Sequence, residues 1–133
     1  MKKIIVLFFV GSVFFSCESE NETSHEEVFA DKFESEDCLQ KGEVLFSTNC
    51  KICHSLNAQS PTSMGPVLIN IQKNWSDKKK LRAFISNAPD QMHETERARK
   101  IYSEWKDKAQ MPEFAGLSNG EIDCIINFLY KST

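Results

Sequence analysis

The sequence predicts an all-α domain, and two observations lead to that prediction. After the apolar run at the N-terminus, no stretch alternates apolar and polar residues over the length of a β-strand. Four segments instead carry apolar residues at three- and four-residue steps, which is the spacing of one face of a helix. We therefore expect about four helices.

Residues 1–16 have the layout of a secretory signal peptide. Lys2 and Lys3 precede an apolar run from Ile4 to Phe15, which is shorter than the roughly 20 residues of a membrane-spanning helix. The small residue Ser16 and then Cys17 end the run, and this order resembles a bacterial lipoprotein signal. It implies that Cys17 becomes the lipid-bearing first residue of the mature chain, with plain cleavage as the alternative.

An acidic segment separates this signal from the part predicted to fold. From Glu18 to Gln40 there are nine Asp or Glu and one Lys, and up to Ser35 no apolar period is sustained. From Lys41 to Thr133 thirteen Lys or Arg outnumber ten Asp or Glu. We predict a flexible tether over residues 17–35 and a domain over residues 36–133 that is mildly basic from Lys41 onward, with no nucleic-acid partner.

The first helix is predicted from about Glu36 to Thr48. It includes Gly42, which lowers helix stability, so we expect another backbone to pass close to it. The stretch from Ser55 to Asn74 is interrupted by proline and glycine and is predicted to be a loop.

Three further helices follow the loop. We expect the second to begin with Ser76 as its N-cap and to end near Asn87, because a proline stands two residues later. The third is predicted over Gln91 to Lys108, with its basic residues forming mostly a solvated face. The last has the clearest start, since Ser118 and Glu121 form a capping box. The basic residues of the third helix are Arg97, Arg99, Lys100, Lys106 and Lys108.

The motif that carries chemistry is Cys50-Lys51-Ile52-Cys53-His54. This spacing is the attachment signature of c-type haem, in which two thioether bonds hold the porphyrin and the histidine ligates the iron. A structural zinc site would need four ligands, and the remaining cysteines are scattered singly. A thioredoxin-like redox pair would need a preceding strand, which the sequence does not predict.

Around this motif the chain resembles the small, single-haem bacterial members of the cytochrome c family. The resemblance extends over about residues 38–131 and rests on three separated pieces in a consistent order. They are Gly42-x-x-x-Phe46 before the haem motif, Gly65-Pro66-Val67-Leu68, and Met111-Pro112-x-Phe114 followed by Leu117-Ser118 and the last helix. It implies a cytochrome c-like fold, in which the helices surround one covalently attached haem c.

The resemblance also implies residue roles. Met111 would be the second axial ligand opposite His54, and the carbonyl of Pro66 would accept a hydrogen bond from the ligating imidazole. Met64, Met92 and His93 are the alternatives to Met111. Gly42 and Phe46 would meet Ile125 and Phe128 of the last helix. The indole of Trp75 is expected to pack in the core, with a hydrogen bond to a haem propionate as the alternative.

Cys38 and Cys124 have no role in haem attachment. Export would place them in an oxidising compartment, where disulfides persist. The resemblance puts both near the crossing of the first and last helices, so a bridge between them and a pair of buried free thiols both remain open.

These observations predict a membrane-tethered electron carrier that is not an enzyme. Two protein ligands leave no open position at the iron, so the expected reaction is one-electron transfer between a redox donor and a redox acceptor. We expect a lipid-anchored protein on the periplasmic side of a bacterial membrane or at the cell surface. It would be a monomer or a subunit of a respiratory complex. A haem subunit of a larger oxidoreductase and a haem-based gas or redox sensor are the alternatives.

Overall fold

The computed structural model describes residues 35–132. The predicted signal peptide, the lipidation of Cys17 and nearly all of the predicted tether fall on residues outside this range and stay predictions. Within residues 35–132, no helix combines the length and the apolar character that crossing a bilayer requires.

The described chain forms six α-helices and no β-strand, so the all-α prediction is confirmed. An isolated antiparallel bridge joins Asn87 to Glu113. The helices are α1 (Glu36–Asn49), α2 (Ile71–Asn74), α3 (Lys78–Ser86), α4 (Ala88–Gln91), α5 (Glu96–Trp105) and α6 (Asn119–Lys131).

The structure has two more helices than the four predicted. The additional helices, α2 and α4, are each only four residues long. α2 lies inside the stretch predicted to be a loop, and the chain enters it through Asn70 in the left-handed conformation, at φ 50°. α4 begins after Asn87, whose side chain accepts a hydrogen bond from the Asp90 N–H. A helix of four residues is about one turn long, so it contains no repeat that periodicity could detect.

Capping side chains also place two helix starts differently from the prediction. The N-cap of α3 is Asp77 rather than Ser76, because its carboxylate accepts from the N–H groups of Lys79 and Lys80 at 2.9 and 3.2 Å. α5 begins after Thr95, whose hydroxyl accepts from the Ala98 N–H at 3.0 Å, and not at Gln91. The helix predicted over Gln91 to Lys108 is therefore shortened at both ends to α5, and α4 shares only Gln91 with it.

Helices α1 and α6 cross at very close range. A Cβ placed on Gly42 would lie 2.1 Å from the carbonyl oxygen of Cys124, so the predicted close approach of a second backbone is confirmed. A disulfide joins Cys38 to Cys124, and the rings of Phe46 and Phe128 pack with centroids 5.7 Å apart and their planes tilted by 43°. The disulfide closes a sequence separation of 86 residues, for which the chain-entropy model gives about 4.6 kcal/mol of stabilisation.

The start of α6 adds a polar contact to this crossing. Glu121 closes the predicted capping box with Ser118, and its carboxylate lies 3.2 Å from the ammonium of Lys41 in α1. Hydrogen bonds from Ser118 and the charge of Lys41 lower the pKa of Glu121 to about 2. The cap therefore stays ionised through the mildly acidic range.

The other side of α6 is connected to α3 and to the end of α2. Arg82 Nε lies 2.6 Å from Asp123 Oδ1, and Lys78 Nζ donates to Asn127 Oδ1 at 3.1 Å. The hydroxyl of Tyr130 donates to the carbonyl of Trp75 at 2.7 Å. Helix α6 thus sits at the centre of the core, and its own fully buried side chains are Ile122, Ile125, Ile126 and Leu129.

We predict that Gly42→Ala lowers the free energy of unfolding by about 2 kcal/mol or more, because the new methyl group would overlap backbone atoms of α6. The matched control is Gly116→Ala, since a Cβ at Gly116 meets nothing within 4 Å. Denaturant unfolding should leave the control within about 0.5 kcal/mol of the parent. Equal stabilities of the two variants would contradict the close crossing.

Candidate functional site

A largely apolar cleft lies between the end of α1, the 62–69 loop, α5 and the segment before α6. Its walls include all the residues of the predicted haem site: Cys50, Cys53, His54, Pro66 and Met111. Phe46 of α1, Leu81 and Phe84 of α3, and Ile125 and Leu129 of α6 also line it. Ligand sites commonly have this character, with apolar walls and a few placed polar groups.

A tight turn directly after α1 presents the cysteines and the histidine to the cleft. The N–H groups of Cys53 and His54 both donate to the carbonyl of Cys50, at 3.0 and 2.9 Å. The Cys50 N–H in turn donates to the carbonyl of Phe46, so the turn continues from the last turn of the helix. The orientation of α1 therefore decides where all three side chains stand.

The two cysteines of the motif are free thiols that are half-buried. Burial and, to a smaller extent, the charge of Cys53 together raise the pKa of Cys50 to about 11. A redox-active cysteine pair typically has a lowered thiol pKa, so this environment does not fit the thioredoxin-like alternative. Residues 35–132 contain no cluster of three or more His, Cys, Asp or Glu suited to a metal ion.

The imidazole of His54 has a fixed partner on one side. Its Nδ1 lies 2.8 Å from the carbonyl oxygen of Pro66, and a carbonyl can only accept, so Nδ1 carries the proton. The remaining nitrogen, Nε2, is then the one with a lone pair for a metal. Burial lowers the pKa of His54 by more than the hydrogen bond to Pro66 raises it. The ring is therefore neutral at neutral pH.

The 62–69 loop packs closely around His54. A Cβ on Gly65 would lie 2.8 Å from the Cys53 carbonyl oxygen and 2.9 Å from ring atoms of His54, so a side chain there would displace the ring. The Leu68 N–H donates to the Ser55 carbonyl at 2.9 Å. The hydroxyl of Thr62 donates to the carbonyl of Cys53, with the Gly65 carbonyl 3.3 Å away.

Met111 is half-buried and lines the same cleft, in the segment that leads to α6. This segment is connected to the end of α3, because the Phe114 N–H donates to the Ser86 carbonyl at 2.9 Å. Met64 and Met92 line the same cleft, and Met64 is 43% exposed. His93 is exposed, does not line the cleft, and makes an edge contact with Tyr102 at 5.6 Å.

Arg97, one of the residues that line the cleft, has a polar atom without a hydrogen-bond partner among residues 35–132. Arg97 Nε is buried and has no hydrogen-bond partner within the described part of the chain. A buried donor left in this state costs about 1–3 kcal/mol, so a ligand with acceptor atoms fits this wall. Haem is such a ligand, because it combines a large apolar ring with two carboxylates.

Two site residues were missed or misread from the sequence. Arg97 is one of the basic residues expected to lie mostly on a solvated face, but it lines the cleft. It stands four residues before Ile101 and eight before Trp105, which also line the cleft. That helical spacing was the available signal. Thr62 had no signal, because its hydroxyl meets residues brought together only by the fold. Trp75 is buried as expected, packs on Phe84 with ring centroids 5.1 Å apart, and also lines the cleft.

Comparison with known proteins adds a family to this geometry. The family model described as Cytochrome c matches residues 39–133, which include nearly all of α1 and every later helix. No curated protein and no solved structure matches the chain. Since the matched region covers most of the sequence and contains the entire cleft, the chain belongs to the cytochrome c family.

Proposed function

We propose that this protein carries single electrons between exported redox partners, through one haem c ligated by His54 and Met111. Membership of the cytochrome c family supports covalent haem c and electron transfer with redox partners. The residue assignments and the membrane attachment are the proposal. The observation that carries it is the convergence of Cys50, Cys53, His54 and Met111 on one apolar cleft.

The residues of the cleft have distinct tasks in this proposal. When bound, haem supplies an iron that changes its charge by one without breaking a bond. Cys50 and Cys53 hold the ring edge covalently, and the bond from His54 Nδ1 to Pro66 fixes which imidazole nitrogen faces the metal. Met111 supplies a soft, neutral thioether, a ligand that raises the reduction potential relative to a second histidine.

Two protein ligands favour a carrier over a sensor. A gas sensor or a peroxidase-like haem needs a position at the iron that a small molecule can occupy. The segment carrying Met111 is instead connected to the end of α3 by the Phe114 to Ser86 hydrogen bond and by the bridge between Asn87 and Glu113. These contacts favour a thioether that stays in place during electron transfer.

The membrane attachment rests on the N-terminal sequence. An acylated Cys17 would anchor the protein, because each buried methylene of a lipid chain contributes about 0.8 kcal/mol. The acidic segment after Cys17 would serve as the tether between the anchor and the domain, and anchoring would raise the local concentration near membrane partners. The excess of Lys and Arg in the domain would steer docking to an acidic partner surface.

The experiment that tests this function starts with full-length protein made in a bacterium that matures c-type cytochromes and extracted in detergent. We expect a pyridine haemochrome spectrum of a haem with two thioether bonds, and pigment that stays with the protein in acidified organic solvent. A colourless protein, or pigment that is extracted, would overturn the proposal. Elution as a single chain supports the free carrier, whereas stable copurification with another subunit would replace it by the complex subunit.

Met111→Ala should open one coordination position at the iron. We expect the variant to keep its covalent haem, to lose the near-infrared sulfur-to-iron band of the oxidised form, and to bind carbon monoxide when reduced. Met64→Ala and Met92→Ala are the matched controls, because both side chains line the same cleft. Loss of the band in either control, or its persistence in Met111→Ala, would assign the ligand to another residue.

Helix α5 should depend on the haem for its order. Of its ten residues only Ala98 is buried, and its apolar side chains Ile101, Tyr102 and Trp105 face the cleft. In a Cys50→Ala/Cys53→Ala protein without haem, we expect α5 amides to lose most of their hydrogen-exchange protection. The α1 and α6 amides near the Cys38–Cys124 bridge should keep more of theirs. Equal protection of α5 with and without haem would contradict this account.

A further inference from the structure

We propose that Arg97 binds a propionate carboxylate of the haem through its Nε. This assignment rests on the haem site proposed above and adds a binding residue to it. Arg97 lies in the first turn of α5, and its side chain lines the cleft. Its Nε is buried without a partner in the described chain.

The chemistry of the lining identifies the acceptor. A guanidinium has five donors and accepts nothing, so the missing partner must be an acceptor, and a carboxylate matches its planar geometry best. None of the residues that line the cleft is an Asp or a Glu, whereas two of them, Arg97 and Lys106, are basic. The protein therefore provides cations on this wall and leaves the anion to the ligand.

The attachment of the haem leaves its carboxylates free to meet this wall. The vinyl-derived edge of the ring is held at Cys50 and Cys53, and the two propionates lie on the edge opposite the vinyl groups. The rest of the ring periphery is hydrocarbon, which suits apolar walls such as Ile101 and Trp105. A propionate is thus the one anionic feature that haem can offer to Arg97.

A second arginine in the same helix provides a matched control. Arg99 is exposed, does not line the cleft, and donates from Nη1 to the carbonyl of His93 at 2.8 Å. Arg97→Gln and Arg99→Gln remove the same charge from the same helix. Arg97→Lys keeps the charge and removes Nε.

The test uses the holoprotein and two readouts. In arginine-labelled holoprotein, NMR should show one slowly exchanging Nε–H with cross-peaks to propionate methylene protons, which disappears in Arg97→Gln and Arg97→Lys but not in Arg99→Gln. The midpoint potential should fall in Arg97→Gln, because an uncompensated carboxylate favours the ferric state. It should stay near the parent value in Arg99→Gln, and Arg97→Lys should recover part of the fall.

Two results would overturn the assignment. One is an Arg97 Nε–H that exchanges as fast as that of Arg99 in a holoprotein with normal haem attachment. The other is a potential that falls equally in both glutamine variants, which would indicate only an effect of net charge. Both results presuppose attached haem, so they differ from a failure of the proposed function, in which no covalent haem is found. Should Arg97→Gln fail to mature, the NMR of the parent protein still decides.

A different observation points to Thr62 as a positioning residue for His54. Its hydroxyl donates to the carbonyl of Cys53, and the Gly65 carbonyl lies 3.3 Å from the same oxygen. Thr62 thereby joins the haem-binding turn to the loop that presents the Pro66 carbonyl to His54 Nδ1 at 2.8 Å. We infer that this contact keeps the imidazole hydrogen bond short.

A change in the hydrogen bond of His54 should alter the midpoint potential of the haem iron. A strong hydrogen bond from Nδ1 increases the basicity of the ligating imidazole, which stabilises the ferric state. Thr62→Val keeps the shape of the side chain and removes the donor. We expect it to raise the midpoint potential and to speed the exchange of the His54 Nδ1 proton in NMR spectra of the reduced protein.

Thr62→Ser retains the hydroxyl. It should therefore keep the midpoint potential and the exchange rate of the His54 Nδ1 proton near those of the parent protein. A valine variant that is less stable but has the parent potential and proton exchange would show that Thr62 has only a structural role. Identical behaviour of the serine and valine variants would also overturn the inference. The measurements require His54 on the iron, so a holoprotein with another axial ligand would instead contradict the proposed function.

Discussion

The close crossing of α1 and α6 is the constraint on which the rest of the structure depends. The missing side chain of Gly42 lets the two backbones meet at the carbonyl of Cys124, and the disulfide from Cys38 holds them there. Helix α1 is continuous with the turn that carries Cys50, so fixing the helix also fixes that turn. The same crossing brings Ile125 and Leu129 of α6 to the floor of the cleft.

The two walls of the cleft are supported in different ways. The wall with His54 is held by backbone carbonyls, namely those of Cys50, Ser55 and Pro66, each of which accepts a specific hydrogen bond. The wall formed by α5 has little support from the rest of the protein, since it buries Ala98 alone. The first wall is therefore held in place by the protein's own hydrogen bonds, whereas the second makes few contacts with the rest of the core.

Local signals predicted those parts of the structure that depend on short stretches of sequence. The capping box at Ser118 and the packing role of Gly42 could both be predicted from the sequence, because each depends on a particular kind of residue at one position. The start of α3 was misplaced by one residue, since Ser76 and Asp77 are both good caps and only the fold decides between them. The third helix begins after Thr95 rather than at Gln91, and Thr95 lacks the Glu or Gln three residues later that would have completed a capping box.

The composition of the cleft bears on how a charge can change inside it. Apolar walls exclude water and lower the dielectric constant, which makes any unbalanced charge near the metal costly. Among the few polar groups of the site, His54 has a fixed hydrogen-bond partner in the carbonyl of Pro66. Arg97 Nε has no hydrogen-bond partner within the described residues. An environment with few movable dipoles needs little rearrangement when the metal gains or loses one electron.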